Sequence, residues 1–466
     1  MRLTAALIAV TTLFAAACSK APAPLQQREA VSPPGVISAI PYAADNGTLL
    51  VKCGRLIDGL ADEPADTRWV LIRDGRIAAV SANEDAAMHA GVPVLDLSGH
   101  TCLPGLIDMH THLLEYPETL EDLSAYFSHD QALTLGNGRD IAHTTLMAGF
   151  TTVRSVGTYV GTADVVMRDA INAGEIIGPR MLVAGFYLTI PGGGGDLLTP
   201  GVDEATIPPS LRMGVARGPE QFREKAQLAI DSGVDFIKII ASGAVLAYGG
   251  VPGDHEMTPE EMRAVIDVAH AAGLKVAAHA HGAAVIRDAI LAGADTIEHA
   301  SLIDEEGMQL ARNHDVPLIM DVFNGDWMLE EGRKAGWPEE FMRKTEETTL
   351  IQRQQFQKAV AYGAPVLFGS DAGVYTHGLN ATQFQYMVRW GMTPMQAIKA
   401  ATSGPAHYLG WEDRIGAIEA GRFGDLIAVA GDPLADVATL LDVAVVIKGG
   451  NVFKAPADKV AGGTMQ

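Results

Sequence analysis

Eight short apolar runs recur along the middle of the chain at the spacing of repeated strand–helix units: LIDMHTH, TTVRSVG, RMLVAG, DFIKIIAS, KVAAHAH, TIEHA, PLIMDV and PVLFGSD. Runs of this length with helical segments between them read as buried parallel strands, since a parallel connection needs a crossover helix. Eight of them predict an α/β protein with a (β/α)8 TIM-like barrel over residues 106–411. A chain of 466 residues, 48% hydrophobic, has enough apolar material for such a core and for a smaller unit beside it.

Short strands flank this region on both sides. LLVKCGRLIDG, WVLIRDGRIAAVS and VPVLDLSGHTCLPG lie in residues 47–105, with Asp74-Gly75 marking a hairpin turn. GDLIAVAGD and VAVVIKGGNVF follow in residues 412–456. The two ends are expected to build one small β-sandwich together, with residues 457–466 as a tail. Cys53 and Cys102 both fall in its strands, and either a disulfide or two buried thiols fits the sequence.

The first residues, MRLTAALIAVTTLFAAAC, have a charged start, an apolar run from Leu3 to Phe14 and small residues before Cys18. Residues 1–18 read as an export signal of lipoprotein type, with lipidation of Cys18 or a plain cleaved signal as alternatives. The run is too short to span a bilayer permanently. Residues 19–46, rich in Pro, Ala and Gln, read as a flexible tether. The expected location is the periplasmic side of a bacterial outer membrane, or the periplasm or medium without the anchor. Membrane contact is expected only through that lipid. With 34 Lys and Arg against 56 Asp and Glu, the net charge of −22 excludes nucleic acid as a natural partner.

The active site of a parallel barrel lies at the C-terminal ends of its strands, and the polar residues of these runs collect there. His110 and His112, two apart on one strand, project to the same side and form a natural metal chelate, although backbone acceptors could also satisfy them. His279 and His281 repeat the pattern, Glu298-His299 ends the sixth run, and Ser370-Asp371 ends the eighth. Several imidazoles and carboxylates at one buried end need a compensating charge, which a metal supplies. Lys238, inside FIKII, is the residue that most needs a reason, because a buried ammonium is strongly penalised. A salt bridge to a barrel acid such as Asp371 would answer it. So would reaction with carbon dioxide to give a carbamate able to bridge two cations.

Together, His110, His112, Lys238, His279, His299 and Asp371 resemble the six ligands of binuclear amidohydrolases. The stretches LPGLIDMHTH, AGFTTVRSVG, GVDFIKIIASG, GLKVAAHAHG, TIEHASLID and FGSDAGVYTHG resemble the branch of Xaa-Pro dipeptidase-like, carboxypeptidase and ochratoxinase-like enzymes. The resemblance implies two divalent cations, Zn²⁺ foremost, and carboxylated Lys238 between them. His110, His112 and Asp371 would hold the inner cation, His279 and His299 the outer one. It further implies hydrolysis of an amide by a hydroxide shared by the cations, with Asp371 as proton acceptor. The substrate expected is a dipeptide or N-acyl amino acid that releases its C-terminal amino acid. A cyclic amide, a lactone or a phosphotriester is the alternative, and a non-catalytic binding protein that kept the barrel is a third.

His281, Tyr248 and His377 are the candidate substrate contacts, and Arg154 is expected in a structural salt bridge. Relatives also imply a homo-oligomer. Two places depart from related sequences: the run Pro191–Asp196, where a histidine often stands among the glycines, and Ser155, where an aspartate is common. The glycine run lacks a following Gly-Lys-Ser or Gly-Lys-Thr, so it reads as a mobile loop beside the pocket and not as a phosphate cradle. His129, His143, His255, His270 and His314 fall in helices or loops and are given no catalytic part.

Overall fold

The structure, a computed structural model, describes residues 45–84, 91–120, 122–129 and 131–456. The export signal, Cys18, most of the tether and the 457–466 tail lie outside the described residues.

The N-terminal strands are β1 (Leu49–Leu56), β2 (Ala65–Arg73), β3 (Arg76–Ser81) and β4 (Val94–Pro104). Eight strands follow, one for each apolar run: β5 (Leu106–Thr111), β6 (Phe150–Ser155), β7 (Arg180–Val183), β8 (Phe236–Ile240), β9 (Lys275–Gly282), β10 (Thr296–Leu302), β11 (Leu318–Ile319) and β12 (Val366–Leu367). The chain returns through β13 (Leu426–Ala430), β14 (Val443–Lys448) and β15 (Asn451–Lys454).

The two chain ends do pair, through β4 and β13, in the register Pro104↔Leu426 to His100↔Ala430. Hydrogen bonding makes them one continuous seven-stranded sheet, β15-β14-β13-β4-β1-β2-β3, where a sandwich of two sheets was expected. The physical reason is that β4 has both edges free to pair: it takes β1 in parallel and β13 antiparallel, so neither end is left as a separate layer. Val51, Val70, Leu97, Leu426, Val445 and Ile447 bury one core on this sheet. Cys53 and Cys102 are joined by a disulfide between β1 and β4, with Cα atoms 5.8 Å apart. Asp45, within the expected tether, is ion-paired to Arg180, which also binds Asp425.

The middle of the chain is an α/β fold with parallel sheets, ordered β5-β6-β7 and β8-β9-β10-β11-β12. Backbone bonds also cross between these two sets. Leu188 N–H donates to Lys238 O at 3.0 Å, and Met109 N–H donates to Phe368 O at 3.1 Å. Parallel bridges Leu188↔Ile239 and Thr111↔Ala372 accompany them, so all eight strands point the same way and their C-terminal ends share one rim. β11 and β12 keep only two paired residues each, shorter than their apolar runs. Gly369 explains how β12 comes so close to its neighbours: a Cβ there would lie 2.3 Å from Ile319 Cγ2 and 2.9 Å from His110 Cβ.

The connecting helices carry standard start signals, such as the capping box of Thr258 and Glu261 ahead of helix Pro259–Ala271. Among the described residues, no helix is long and apolar enough to cross a membrane.

Candidate metal centre and active site

Each run delivers its polar residues to the same rim. His110 ends β5, Lys238 lies in β8, His279 and His281 in β9, His299 in β10, and Asp371 follows β12. All six are buried, and His112 beside them is partly so. They line one cavity of about 130 Å³ together with Glu115, Tyr159, Tyr187, Ser301, Asp321 and Asn324. His299, Ala300 and Asp371 have φ of +68°, +48° and +59°. A side chain rarely adopts that left-handed region, so strain is concentrated where the polar groups converge.

Two sets of ligand atoms stand within 4.8 Å of one another: His279, His281 and His299, and His110, His299 and Asp371. Asp371 Oδ1 lies 3.2 Å from His110 Nε2 and 3.4 Å from His112 Nε2. His279 Nε2 and His110 Nε2 are buried without a hydrogen bond. Buried polar atoms without partners are uncommon, and clustered imidazole nitrogens beside a carboxylate are a donor set that suits a divalent cation. The residues present therefore fit a metal centre.

Behind the imidazoles stands a layer that fixes their orientation. Glu298 Oε2 lies 2.6 Å from His110 Nδ1, and Arg154 donates to Glu298 Oε1 at 2.5 Å. Arg154 also donates to Met109 O at 2.6 Å and Thr296 Oγ1 at 3.0 Å, and its pair with Glu298 is the structural salt bridge expected of it. Asp321 Oδ1 lies 2.9 Å from His299 Nδ1, and it accepts from Asn324 and from Gln352. His281 Nδ1 meets Ser301 Oγ at 2.8 Å, and His112 Nδ1 meets Tyr187 Oη at 2.9 Å. A nitrogen engaged in this way leaves the other ring nitrogen facing the cavity.

Charge follows from burial and neighbours. Burial, reinforced by adjacent imidazoles, holds His279, His281 and His299 well below the ordinary histidine value, so they are neutral and able to ligate. Burial opposes ionisation of Asp371, yet His110, His112 and His299 outweigh it and keep its carboxyl well below the usual range. Burial likewise opposes ionisation of Glu298, but Arg154 and His110 hold it low. Burial brings Lys238 down to about 8, against the pull of Glu298. Among the described residues, the side chain of Lys238 makes neither a hydrogen bond nor an ion pair, so the expected alternative of a direct bridge to Asp371 is not formed.

Of the three candidate substrate contacts, His281 lines the cavity and stacks on His299 at 4.9 Å. Tyr248 packs on Phe341 at 4.8 Å, outside the lining. His377 is buried behind it, with Nε2 at 3.0 Å from Glu115 O. His255 and His270 pair with Asp288 and Asp295 away from the cavity. The glycine run does lie beside the pocket, and it is tied there: Gly194 N–H donates to Glu256 at 2.9 Å, and Asp196 is paired with Arg212. Residues passed over in the sequence are Asp321, Asn324, Glu115, Tyr159 and Tyr187. Asp321 had a signal, since it ends the seventh run at the same position where the others carry ligands. The rest lie in loops or helices with no periodic cue.

Comparison with known proteins agrees with this geometry. Residues 101–453 match the model of the amidohydrolase family. An ochratoxinase of Aspergillus niger is 28% identical over 443 residues, covering 87% of each chain. Among solved structures, a Xaa-Pro dipeptidase with methionine bound in its active site is 34% identical with a TM-score of 0.81, over 88% of this chain and 100% of that one. A prolidase complexed with N-methylphosphonate-L-proline is 26% identical with a TM-score of 0.79, at the same coverage.

Proposed function

Because the chain belongs to the amidohydrolase family, an enzyme class that hydrolyses amide bonds, we propose that it cleaves a peptide-type amide, in a dipeptide or an N-acyl amino acid, and releases the C-terminal amino acid. The observation that carries this reading is the convergence of His110, His112, Lys238, His279, His299 and Asp371 on one cavity, where His279 Nε2 is buried without a hydrogen bond and His110 Nε2 faces the Asp371 carboxylate. The ochratoxinase and Xaa-Pro dipeptidase likenesses support it. The eight parallel strands are taken to close as a (β/α)8 barrel, supported by the hydrogen bonds that cross both seams.

His110, His112 and Asp371 would hold one divalent cation and His279 and His299 a second, Zn²⁺ being well suited to this nitrogen and oxygen set. Such ions supply a water ionised near neutral pH and a Lewis acid for the substrate carbonyl. Lys238, buried without a counter-ion and brought down to about 8, has an amine free to attack carbon dioxide. A C–N bond forms, one proton leaves to solvent, and the resulting carbamate replaces a costly cation by an anion among the histidines.

Asp371 accepts the proton of the attacking water and delivers it to the leaving nitrogen. Asn324 Nδ2, 3.2 Å from its Oδ2, holds the carboxylate in place for that transfer. Glu298 and Asp321 keep His110 and His299 turned toward the cavity. His281 offers its free nitrogen to the substrate.

Export with a lipid anchor at Cys18 is part of the same proposal; the Cys53–Cys102 disulfide, which favours an oxidising compartment, supports the export. Assembly as a homo-oligomer is proposed on the likeness to relatives alone. The test is turnover by protein loaded with Zn²⁺ and bicarbonate, on a panel of dipeptides, N-acyl amino acids, a lactone and a phosphotriester. Turnover of the first two classes is expected. Turnover of only the last two moves the function to other esters and cyclic bonds, and none at all points to a binding protein.

A further inference from the structure

Two unlike sets of side chains surround the imidazoles. Ala244, Val245, Leu246, Met328 and Val374 are apolar, whereas Glu115, Tyr159 and Tyr187 form an acidic, aromatic wall. That wall is continuous. Tyr159 N–H donates to Glu115 Oε1 at 3.1 Å, Tyr126 donates its hydroxyl to Glu115 Oε2, and the Tyr159 ring stands 5.0 Å from both Tyr126 and Tyr187. It reaches the metal centre directly, through Tyr187 Oη at 2.9 Å from His112 Nδ1.

Glu115 differs from the other acids of the site. Glu298 is paired with Arg154 and His110, Asp371 with His110 and His112, and Asp321 with His299. Glu115, only 7% exposed, accepts from neutral donors, the Tyr159 N–H and the Tyr126 and Thr158 hydroxyls, and is in no salt bridge among the described residues; the charge nearest to it is that of the His112 imidazole. A buried carboxylate without a cation is unfavourable, and its two oxygens offer more acceptor sites than these donors fill. Among the described residues, no lysine or arginine other than Lys238 lines the cavity to compensate it. Tyrosine faces attract an ammonium by their quadrupole, so the same wall that desolvates the carboxylate favours a cation beside it.

We propose that Glu115, Tyr159 and Tyr187 form a subsite for a substrate ammonium group, so that the enzyme acts on dipeptides with a free amino terminus and discriminates against N-acyl amino acids. This rests on the amide-hydrolase reading and narrows it. The ammonium docks on Glu115 beside His112, which places the scissile carbonyl over the imidazole cluster and leaves the apolar wall for an aliphatic side chain.

The test compares an apolar dipeptide, alanyl-leucine, with N-propanoyl-leucine, the N-acyl amino acid that lacks only its amine, on the enzyme loaded with Zn²⁺ and bicarbonate. The wild type should favour the free amine by about tenfold or more in kcat/KM, as a site built around one polar group rejects an analogue lacking it. Glu115→Gln should erase most of that preference, mainly through a higher KM for the free dipeptide. Tyr159→Leu, which keeps the backbone N–H bond to Glu115, should erode it in the same direction if Glu115→Gln does not fold. Equal turnover of the two substrates by the wild type, or equal loss on both in the variants, overturns the subsite while leaving amide hydrolysis standing. Turnover of neither overturns both readings.

Discussion

Replacing Arg154 by Met tests how the inner imidazole is held. Arg154 is 4% exposed and Glu298 0%, and the guanidinium supplies the carboxylate with its one full positive charge at 2.5 Å. Met preserves much of the aliphatic volume but leaves Glu298 with Thr296 Oγ1 at 2.5 Å and His110 Nδ1 at 2.6 Å as its partners. Breaking one half of a buried pair typically costs about 3–5 kcal/mol, because the remaining charge is uncompensated. Denaturant unfolding of the metal-free protein should therefore show Arg154→Met less stable by about that amount. Glu298→Gln in the same chain removes the stranded charge, so the double variant should recover a substantial part of the loss, with a coupling of about 1–3 kcal/mol. Since Glu298 orients His110, the single variant should also bind Zn²⁺ about 10–100-fold more weakly. A single variant within about 1 kcal/mol of wild type, or a double variant whose loss is the sum of the two singles, would refute the reasoning.

Other outcomes are expected from the same geometry. Asp371→Asn should keep the fold and lose about 10²–10⁴-fold in kcat in a steady-state assay, since it removes the proton acceptor; near-wild-type turnover would remove Asp371 from that role. Lys238→Ala should lower the cation content measured by elemental analysis, and a variant that still carries the full complement would contradict the bridging part. Reducing Cys53–Cys102, whose partners are 49 residues apart, should cost about 4 kcal/mol at most by the loop-entropy relation, read as a lower denaturation midpoint. Burial pushes Glu256 up from 4.5 to about 7, so the folded chain binds more protons than the unfolded one in that interval. Stability should then fall as pH rises from about 4.5 to 7, and Glu256→Gln should flatten that part of the profile.

The strands and the imidazoles were legible in the sequence because each depends on local pattern. A run such as KVAAHAH states its own burial and shows that His279 and His281 share a side, and all eight runs became strands. What joins one run to another was not legible. The pairing of β4 with both β1 and β13 depends on which edges are free in space, and that turned an expected sandwich into a single sheet. The support behind the ligands was half visible: Glu298 adjoins His299 in sequence, but its partner Arg154 lies 144 residues away and is found only in three dimensions. The Glu115–Tyr159–Tyr187 wall was invisible for the same reason, since its members come from separate loops and no period links them. For Tyr248 and His377 the sequence offered only a place near the rim, and their side chains turn to Phe341 and to Glu115 O.

The most direct test of the central claim is a crystal structure of the protein loaded with Zn²⁺ and bicarbonate, refined at Lys238. Two cations among His110, His112, His279, His299 and Asp371, with a carboxylated Lys238 Nζ bridging them, are the expected result. A bare ammonium at Lys238, or a single cation held without it, would contradict the mechanism proposed.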